Sequence, residues 1–364
     1  MAESKYDIVV FGASSFVGEI LCNYLAGCKE EPALRWAIAG RSASKLEAVK
    51  AKLGINDLEV IIADASDEAA LRNLCNQTRV VTTTVGPYAL YGETLVKICA
   101  ETGTDYCDLT GEVQWIRQMV DRYHSTAKAS GARIVNCCGF DSIPSDLGVY
   151  YTQQQSTELF GENCNKIQMR VKAIKGGLSG GTFASLINVM KEASGNPALR
   201  KEMADPYSLC PDETTKTRQV NPGLAQNDTV SNSWTIPFIM AAINTRVVQR
   251  SNHLLPQAYA KPFLYDEAMQ VGSGLGGRLR ASAMGGGLAG FMVTASLKPG
   301  RWILERLLPA PGEGPSPEDQ TNGYYDLRFY GSAANGKNLI CKVTGDRDPG
   351  YGSTAKMLGQ ASIC

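Results

Sequence analysis

Tyr6-Asp7-Ile8-Val9-Val10-Phe11-Gly12-Ala13-Ser14-Ser15-Phe16-Val17-Gly18 is the stretch from which the rest of this chain is best read. The apolar run ends at Gly12, small residues make a tight turn, and a helix follows with Gly18 in its first turn. A dinucleotide pyrophosphate requires this arrangement. Backbone N–H groups must approach the phosphates without interference from Cβ atoms, and a helix N-terminus supplies partial positive charge. Gly18 lets helix and strand pack closely. Ser15 stands where the middle glycine of a G-x-x-G-x-x-G turn is usual, with a hydroxyl able to donate to a phosphate oxygen. A glycine-rich turn can also serve packing alone. Its place here, after the first strand and opening the first helix, favours the dinucleotide. The expected contacts are Gly12, Ala13, Ser14, Ser15, Phe16, Val17 and Gly18.

Outward from this turn, the first 150 residues alternate between β-branched runs and amphipathic stretches. Strands are expected at 6–11, 34–39, 58–63, 79–85, 105–109 and 132–136, with helices at 16–28, 42–53, 67–76, 92–102 and 113–130. Ser42 and Asp67 are N-cap candidates, and Gly54, Gly103 and Gly131 sit where helices should end. Interleaved strands and helices require crossover connections, hence a parallel sheet covered on both faces. The expected class is α/β: a doubly wound Rossmann domain over residues 1–145 and a second α/β or α+β domain over 146–364.

The end of the second strand selects the dinucleotide. An NAD site usually carries Asp or Glu there for the ribose 2′-hydroxyl. This chain has Ala39-Gly40-Arg41-Ser42 instead. Arg41 can fork onto a 2′-phosphate and Ser42 adds a hydroxyl, so NADP(H) is the expected cofactor. Asp64, ending the third strand, either accepts from the adenine amino group or caps the next helix. Val85-Gly86-Pro87 ends the fourth strand where a nicotinamide would lie, and Gly86 leaves room for the ring.

After Asn136 the texture changes. Residues 137–144 read as a loop, followed by a helix from Ser145 to about Gln155 and a strand at 166–174. A glycine-rich turn then leads into a helix at 183–193. Residues 194–233 read as a long polar connection, and 324–330 and 339–343 as two further strands.

Composition excludes several classes. The 36 basic and 36 acidic side chains cancel, leaving no electrostatic drive toward nucleic acid. Two histidines, His124 and His253, cannot build a multi-histidine metal site. Eleven cysteines without a C-x-x-C read as reduced, buried thiols of a cytosolic protein. The N-terminus has no signal-peptide pattern. Ala281–Leu297 is uncharged but diluted by glycines. It suits a buried Gly/Ala-rich helix pair or a membrane-touching hairpin better than a bilayer span.

Several blocks recur in one order: Phe11–Gly18, Ala39–Ser42, Val85-Gly86-Pro87-Tyr88 with Tyr91-Gly92-Glu93, Asp108-Leu109-Thr110-Gly111-Glu112, and Gly139-Phe140-Asp141-Ser142-Ile143-Pro144-Ser145-Asp146-Leu147-Gly148. In this the chain resembles saccharopine dehydrogenase-like oxidoreductases, a group that includes the mycobacterial trans-acting enoyl reductases. The resemblance continues through Ser179-Gly180-Gly181-Thr182 and Gly312-Glu313-Gly314-Pro315-Ser316-Pro317. F-D-S-I-P-S-D-L-G is its most specific block. Relatives continue for a few dozen residues beyond Ser362-Ile363-Cys364, so a shortened form is expected. The resemblance implies an NADP(H)-binding Rossmann domain and a C-terminal domain closing the substrate side. For the enoyl reductases it implies reduction of a carbon–carbon double bond in a carrier-bound acyl or polyketide chain during lipid assembly.

Such a reduction places hydride on Cβ and builds negative charge on the thioester oxygen, so a donor should lie near that oxygen. Tyr88 and Tyr91 are the first candidates, as that donor or as the proton source for Cα. Equally, both wall the nicotinamide pocket. Asp141 either orients a substrate or water or serves its loop, and Ser142 suits a helix cap. Gly180-Gly181-Thr182 suits either a carbonyl site or a tight turn. Glu112 reads as a first-turn capping acid, His124 as a surface residue, and Cys137-Cys138 as buried. Two alternatives stay open: a saccharopine dehydrogenase-type C–N oxidoreductase, and a non-catalytic nucleotide-binding protein on a lipid surface. The expected partners are an acyl or lipid-like substrate, no nucleic acid, and a peripheral membrane contact through 281–308.

Overall fold

The computed structural model describes residues 4–28, 33–176, 191, 195–307 and 315–364. Among these the chain forms two compact units. One comprises residues up to Phe140 together with Gly350–Cys364, and the other runs from Asp141 to Pro349.

The first unit alternates strands and helices in chain order: β1 (Tyr6–Phe11), α1 (Phe16–Gly27), β2 (Trp36–Gly40), α2 (Ala43–Leu53), β3 (Glu59–Ile62), α3 (Glu68–Cys75), β4 (Thr78–Thr83), α4 (Tyr88–Tyr91), α5 (Glu93–Thr102), β5 (Asp105–Cys107), α6 (Val113–Ser130) and β6 (Ile134–Val135). The strands form one parallel sheet, ordered β3-β2-β1-β4-β5-β6. Successive residues Val9 and Val10, and Ala37, Ile38 and Ala39, are buried, as a sheet covered on both faces demands. Ser42 and Asp67 cap α2 and α3 by accepting the amides of Lys45 and Ala70. Gly54, Gly103 and Gly131 end α2, α5 and α6.

The second unit contains α7 (Ile143–Phe160), β7 (Cys164–Lys175), α8 (Pro197–Ala204), β8 (Gln226–Asp228), β9 (Ser233–Pro237), α9 (Ala241–Leu254), β10 (Leu264–Gly272), α10 (Gly274–Ser296), α11 (Lys298–Leu307), α12 (Pro317–Thr321), β11 (Tyr324–Ala333) and β12 (Asn338–Gly345). Its mixed sheet is ordered β12-β11-β7-β10-β9-β8, with β7 and β10 parallel and the other neighbours antiparallel. Helix α7 lies on this sheet: a Cβ on Gly148 would fall 2.3 Å from the Phe329 ring. In β7, Arg170 is buried and pairs with Asp228 (2.9 Å) and Asp266 (2.6 Å).

The sequence reading missed β8, β9, β10, α8 and α9. Residues 194–233, expected as a connection, contain α8 and β8 among the described residues. The expected helix at 183–193 and the Ser179–Thr182 turn lie outside the described residues, Lys191 apart. Helix α10 turns Ala281, Gly285 and Ala295 inward. Ala281 packs on Ile236 and Val271, while much of the remaining surface is exposed.

The last helix, α13 (Thr354–Ile363), returns to the first unit and corrects the expected boundary. Residues 350–364 belong with the first sheet, and Asp141–Ser145 with the second unit. Topology supplies the reason. Right-handed crossovers through α1 and α2 cover one face of β1–β3, and α3, α5 and α6 pack together on the other. The first face of β4 and β5 is then bare until α13 covers it, against α1, β1, β4 and β5. Gly359 admits the Tyr24 ring, Gln360 donates to the Tyr24 hydroxyl at 2.8 Å, and Ser362 and Thr82 share a hydrogen bond.

Candidate functional site

The turn between β1 and α1 is shaped by two glycines. Gly12 has φ +91°, and a Cβ there would fall 2.7 Å from Val85 Cγ2. A Cβ on Gly18 would fall 2.2 Å from the Gly12 carbonyl oxygen, so helix and strand meet with no room for a side chain. The amides of Gly12 and Ala13 donate to the Ala39 carbonyl and that of Ser15 to Gly12. Those of Ser14, Phe16 and Val17 have no backbone acceptor among the described residues, and they open α1. Three available amides at a helix N-terminus are the donor set an anion needs.

Ser15 has a different task from the one expected of it. Its Oγ accepts the Gly18 amide at 3.0 Å and lies 2.8 Å from Thr84 Oγ1. Thr84 spends its own proton on the Gly12 carbonyl at 3.0 Å, so the Ser15 proton fills the contact with Thr84. The hydroxyl caps α1 and braces the turn; it is not directed to a phosphate.

Arg41 directly follows β2 and is exposed, with no ion pair among the described residues. Ser42 caps α2. Asp64 does not cap α3, a role Asp67 fills. Its Oδ1 instead accepts the Ser66 amide (2.9 Å) and hydroxyl (2.7 Å), and these bonds, the amide's first, hold its carboxyl below the ordinary range. Arg41 adds a smaller electrostatic pull in the same direction. A guanidinium and a carboxylate thus flank the ends of β2 and β3, and together with the open amides they fit a phosphorylated dinucleotide.

Beyond β4, Val85 touches the glycine turn, Gly86 is exposed and Pro87 opens α4. Tyr88 is buried, donates its hydroxyl to the Thr83 carbonyl at 3.1 Å and packs on Trp115. Burial raises its phenol well above the ordinary value, and the Asp108 charge adds to this. Tyr88 is therefore a strut, not a free proton donor, which corrects the catalytic expectation. Tyr91 is half exposed.

Glu112 caps a helix, but a neighbouring one. Its buried carboxylate accepts the amides of Tyr88 (2.9 Å) and Ala89 (2.8 Å), pinning the start of α4. Asp108, which opens the Asp108–Glu112 block, organises the ends of β5 and β6. It accepts from Tyr106 Oη, Asn136 Nδ2 and the amides of Thr110 and Cys137. Burial pushes its carboxyl up to about 6. Cys137 is held at φ +61° by this contact. His124 is exposed, as expected.

Asp141 begins the second unit, and burial pushes its carboxyl up to about 6. It belongs to a different unit from Tyr88 and Tyr91, and the geometry within each unit does not join them. The F-D-S-I-P-S-D block supplies instead a buried polar cluster at the start of α7. Ser142 Oγ donates to Asn244 Oδ1 at 3.4 Å, and Asn244 Nδ2 donates to Ser145 Oγ (3.0 Å) and Glu267 Oε2 (2.9 Å). Tyr265 Oη donates to Glu267 Oε1 at 2.6 Å. Ser142 does not cap α7 with its side chain. Reading from sequence alone missed Asn244 and Glu267 because each is a single polar residue in an element with no recognised motif.

No group of residues suited to hold a metal ion occurs among the described residues, and no described helix is long and apolar enough to cross a membrane.

Comparison with known proteins agrees with this architecture. Residues 8–135 match the saccharopine dehydrogenase NADP binding domain family. A trans-acting enoyl reductase of Mycobacterium bovis is 37% identical, the alignment covering 100% of this chain and 89% of that protein. One from Mycobacterium ulcerans is 35% identical, over 100% of this chain and 89% of that one. The apo saccharopine dehydrogenase (L-Glu forming) of Saccharomyces cerevisiae shares the fold, with a TM-score of 0.51 and 13% identity over 98% of this chain and 89% of that chain. With its two-sheet architecture and likeness along its whole length, the chain belongs to the saccharopine dehydrogenase-like family of oxidoreductases and carries that family's NADP-binding domain.

Proposed function

We propose that this protein is an NADP(H)-dependent reductase of the carbon–carbon double bond in an acyl or polyketide chain, presented on a carrier. The observation that carries this reading is the likeness, over the full chain, to proteins named trans-acting enoyl reductase. The amides of Ser14, Phe16 and Val17 hold the pyrophosphate, and Arg41 takes the 2′-phosphate. Asp64, through the oxygen not engaged by Ser66, accepts from the adenine amino group. Gly86 leaves space at the nicotinamide, with Val85 and Pro87 beside it. When bound, the coenzyme supplies hydride. Tyr91 replaces Tyr88 as the hydroxyl that steadies charge on the substrate's carbonyl oxygen.

A C–N oxidoreductase acting on amino acids would want arginines free for carboxylates. In the second unit Arg246 donates to the Met203 carbonyl and Arg250 to the Leu209 carbonyl, which argues against that alternative. The lipid-like character of the substrate fits the exposed apolar side chains Leu275, Leu279 and Val293 of α10, Leu297 at the junction and Trp302 of α11. These provide a peripheral contact with a lipid surface for an otherwise cytosolic enzyme.

The test is NADPH oxidation with enoyl thioesters on an acyl carrier, run beside imino acids. Turnover of the thioesters alone supports the reading, and turnover of imino acids alone replaces it with the C–N chemistry.

A further inference from the structure

Arg41 offers its guanidinium to a phosphate monoester, and a neighbour in its own chain can become one. Ser44 lies three positions after Arg41, exposed in the first turn of α2. Its Oγ is 3.2 Å from Ser42 Oγ, which also accepts the Lys45 amide at 3.4 Å. Lys45 is exposed as well.

Arginine-directed protein kinases select a serine or threonine with an arginine three residues before it, because acids in their clefts pair with that guanidinium. This sequence has the spacing at three places: Arg41 before Ser44, Arg79 before Thr82 and Arg122 before Ser125. Thr82 is buried in β4 and bonded to Ser362, out of reach of any kinase. Ser125 is held in the middle of α6, and Arg122 is spent on Glu93 at 2.6 Å. Ser44 alone of the three joins an exposed hydroxyl, a helix end that can open by one turn, and an arginine with no ion pair among the described residues. Asp64 is the acid near Arg41, and the weak pull between them does not hold the guanidinium back. The 2′-phosphate of NADP(H) and a phosphoserine are the same chemical group, a monoester with about two negative charges, and both fork onto a guanidinium through charge-assisted hydrogen bonds.

We propose that Ser44 is a phosphorylation site whose phosphate takes Arg41 and so shuts out NADP(H). This rests on Arg41 being the ligand of the 2′-phosphate, as in the reading above. In the transfer, Ser44 Oγ bonds to the γ-phosphorus of ATP as the bond to the bridging oxygen breaks. ADP leaves, and the hydroxyl proton passes to the kinase's base. The product sets its charge beside Arg41 and Lys45. An incoming 2′-phosphate then meets a like charge where it needs a free guanidinium, whereas NADH, with a neutral 2′-hydroxyl, loses little. Hydrolysis of the ester by a phosphatase restores the site.

The test uses the full chain with phosphoserine installed at position 44 during translation, beside unmodified protein. Calorimetry should give the phosphorylated protein an NADPH Kd at least tenfold weaker, and an NADH Kd within threefold of the unmodified value. Mass mapping after treatment with a calmodulin-dependent serine kinase and ATP should place phosphate on Ser44. Ser44→Ala should lose that phosphate and bind NADPH within twofold of wild type. Absence of phosphate from Ser44, equal NADPH binding with and without it, or loss of both coenzymes together overturns the proposal. Arg41→Ala separates the switch from the reading beneath it. If this variant binds NADPH as tightly as wild type, the assignment of the 2′-phosphate to Arg41 falls, and the switch with it. If it loses NADPH while the phosphoserine protein does not, the switch alone falls.

Discussion

Ser15 Oγ lies 2.8 Å from Thr84 Oγ1, so the opening turn of the first sheet is braced by a hydroxyl pair that also reaches the Gly12 carbonyl. Because Ser15 additionally caps α1, Ser15→Ala removes two hydrogen bonds and should cost about 1–2 kcal/mol of stability. Ser15→Gly, which restores the usual glycine, should cost less as a cap and leave NADPH affinity within about twofold. Denaturant titration and calorimetric NADPH binding check the pair. A large loss of NADPH affinity in Ser15→Gly would show that the hydroxyl does reach a phosphate.

Arg41 is the residue on which coenzyme choice turns. It is exposed and, among the described residues, carries no ion pair, its electrostatic pull on Asp64 being the weakest of the influences on that carboxyl. Arg41→Ala should weaken NADPH by about 1.5–3 kcal/mol, the range for hydrogen bonds to charged groups, and leave NADH nearly unchanged. Fluorescence titration with both coenzymes reads the difference directly. Equal losses for the two would remove the 2′-phosphate from the account.

The first sheet was legible because each strand is a short apolar run followed by a cap or a glycine. Ser42, Asp67, Gly54, Gly103 and Gly131 all sit where a local rule puts them. The failures lie where long-range geometry assigns the role. Glu112 stands at the start of one helix and serves another, and Tyr88 spends its hydroxyl on Thr83, a partner no spacing predicts. In β10 the adjacent acids Asp266 and Glu267 hide a buried strand, because each acid faces its own polar cluster on one side of the sheet. The last helix reads as a helix from its letters. That it closes the first sheet follows only from strand order.

Glu112 offers a test of how α4 is held. Both of its carboxylate oxygens take a backbone amide in a buried place. Glu112→Ala leaves the amides of Tyr88 and Ala89 without this acceptor and should cost about 1–3 kcal/mol, the range for one buried unsatisfied group, because the Ala89 contact is only partly buried. Glu112→Gln keeps one acceptor and should fall between. Hydrogen exchange at Tyr88 and Ala89 should quicken in the alanine variant. Unchanged protection there would mean that α4 is held by the Tyr88–Trp115 packing instead.

Stability should fall as pH rises from about 4 to about 7, against the usual trend of acid sensitivity. Asp108, Asp141 and Asp146 are pushed up to about 6 and Glu267 to about 7, burial being the first cause in each. A group whose folded pKa is raised contributes fully below its unfolded value near 4, and that contribution is lost as pH climbs through the folded value. Asp7 and Glu93 act oppositely. Hydrogen bonds from Arg35 and Arg122 hold them low, so what they contribute is lost only as pH drops below about 4. Asp146→Asn isolates one raised group, since it keeps the shape and removes the charge. Its stability relative to wild type should improve by about 2 kcal/mol between pH 4 and pH 7, following a shift of roughly two pKa units at ~1.4 kcal/mol each. Urea unfolding of both proteins across that range provides the measurement. A constant difference between them would mean that Asp146 keeps the same protonation state folded and unfolded.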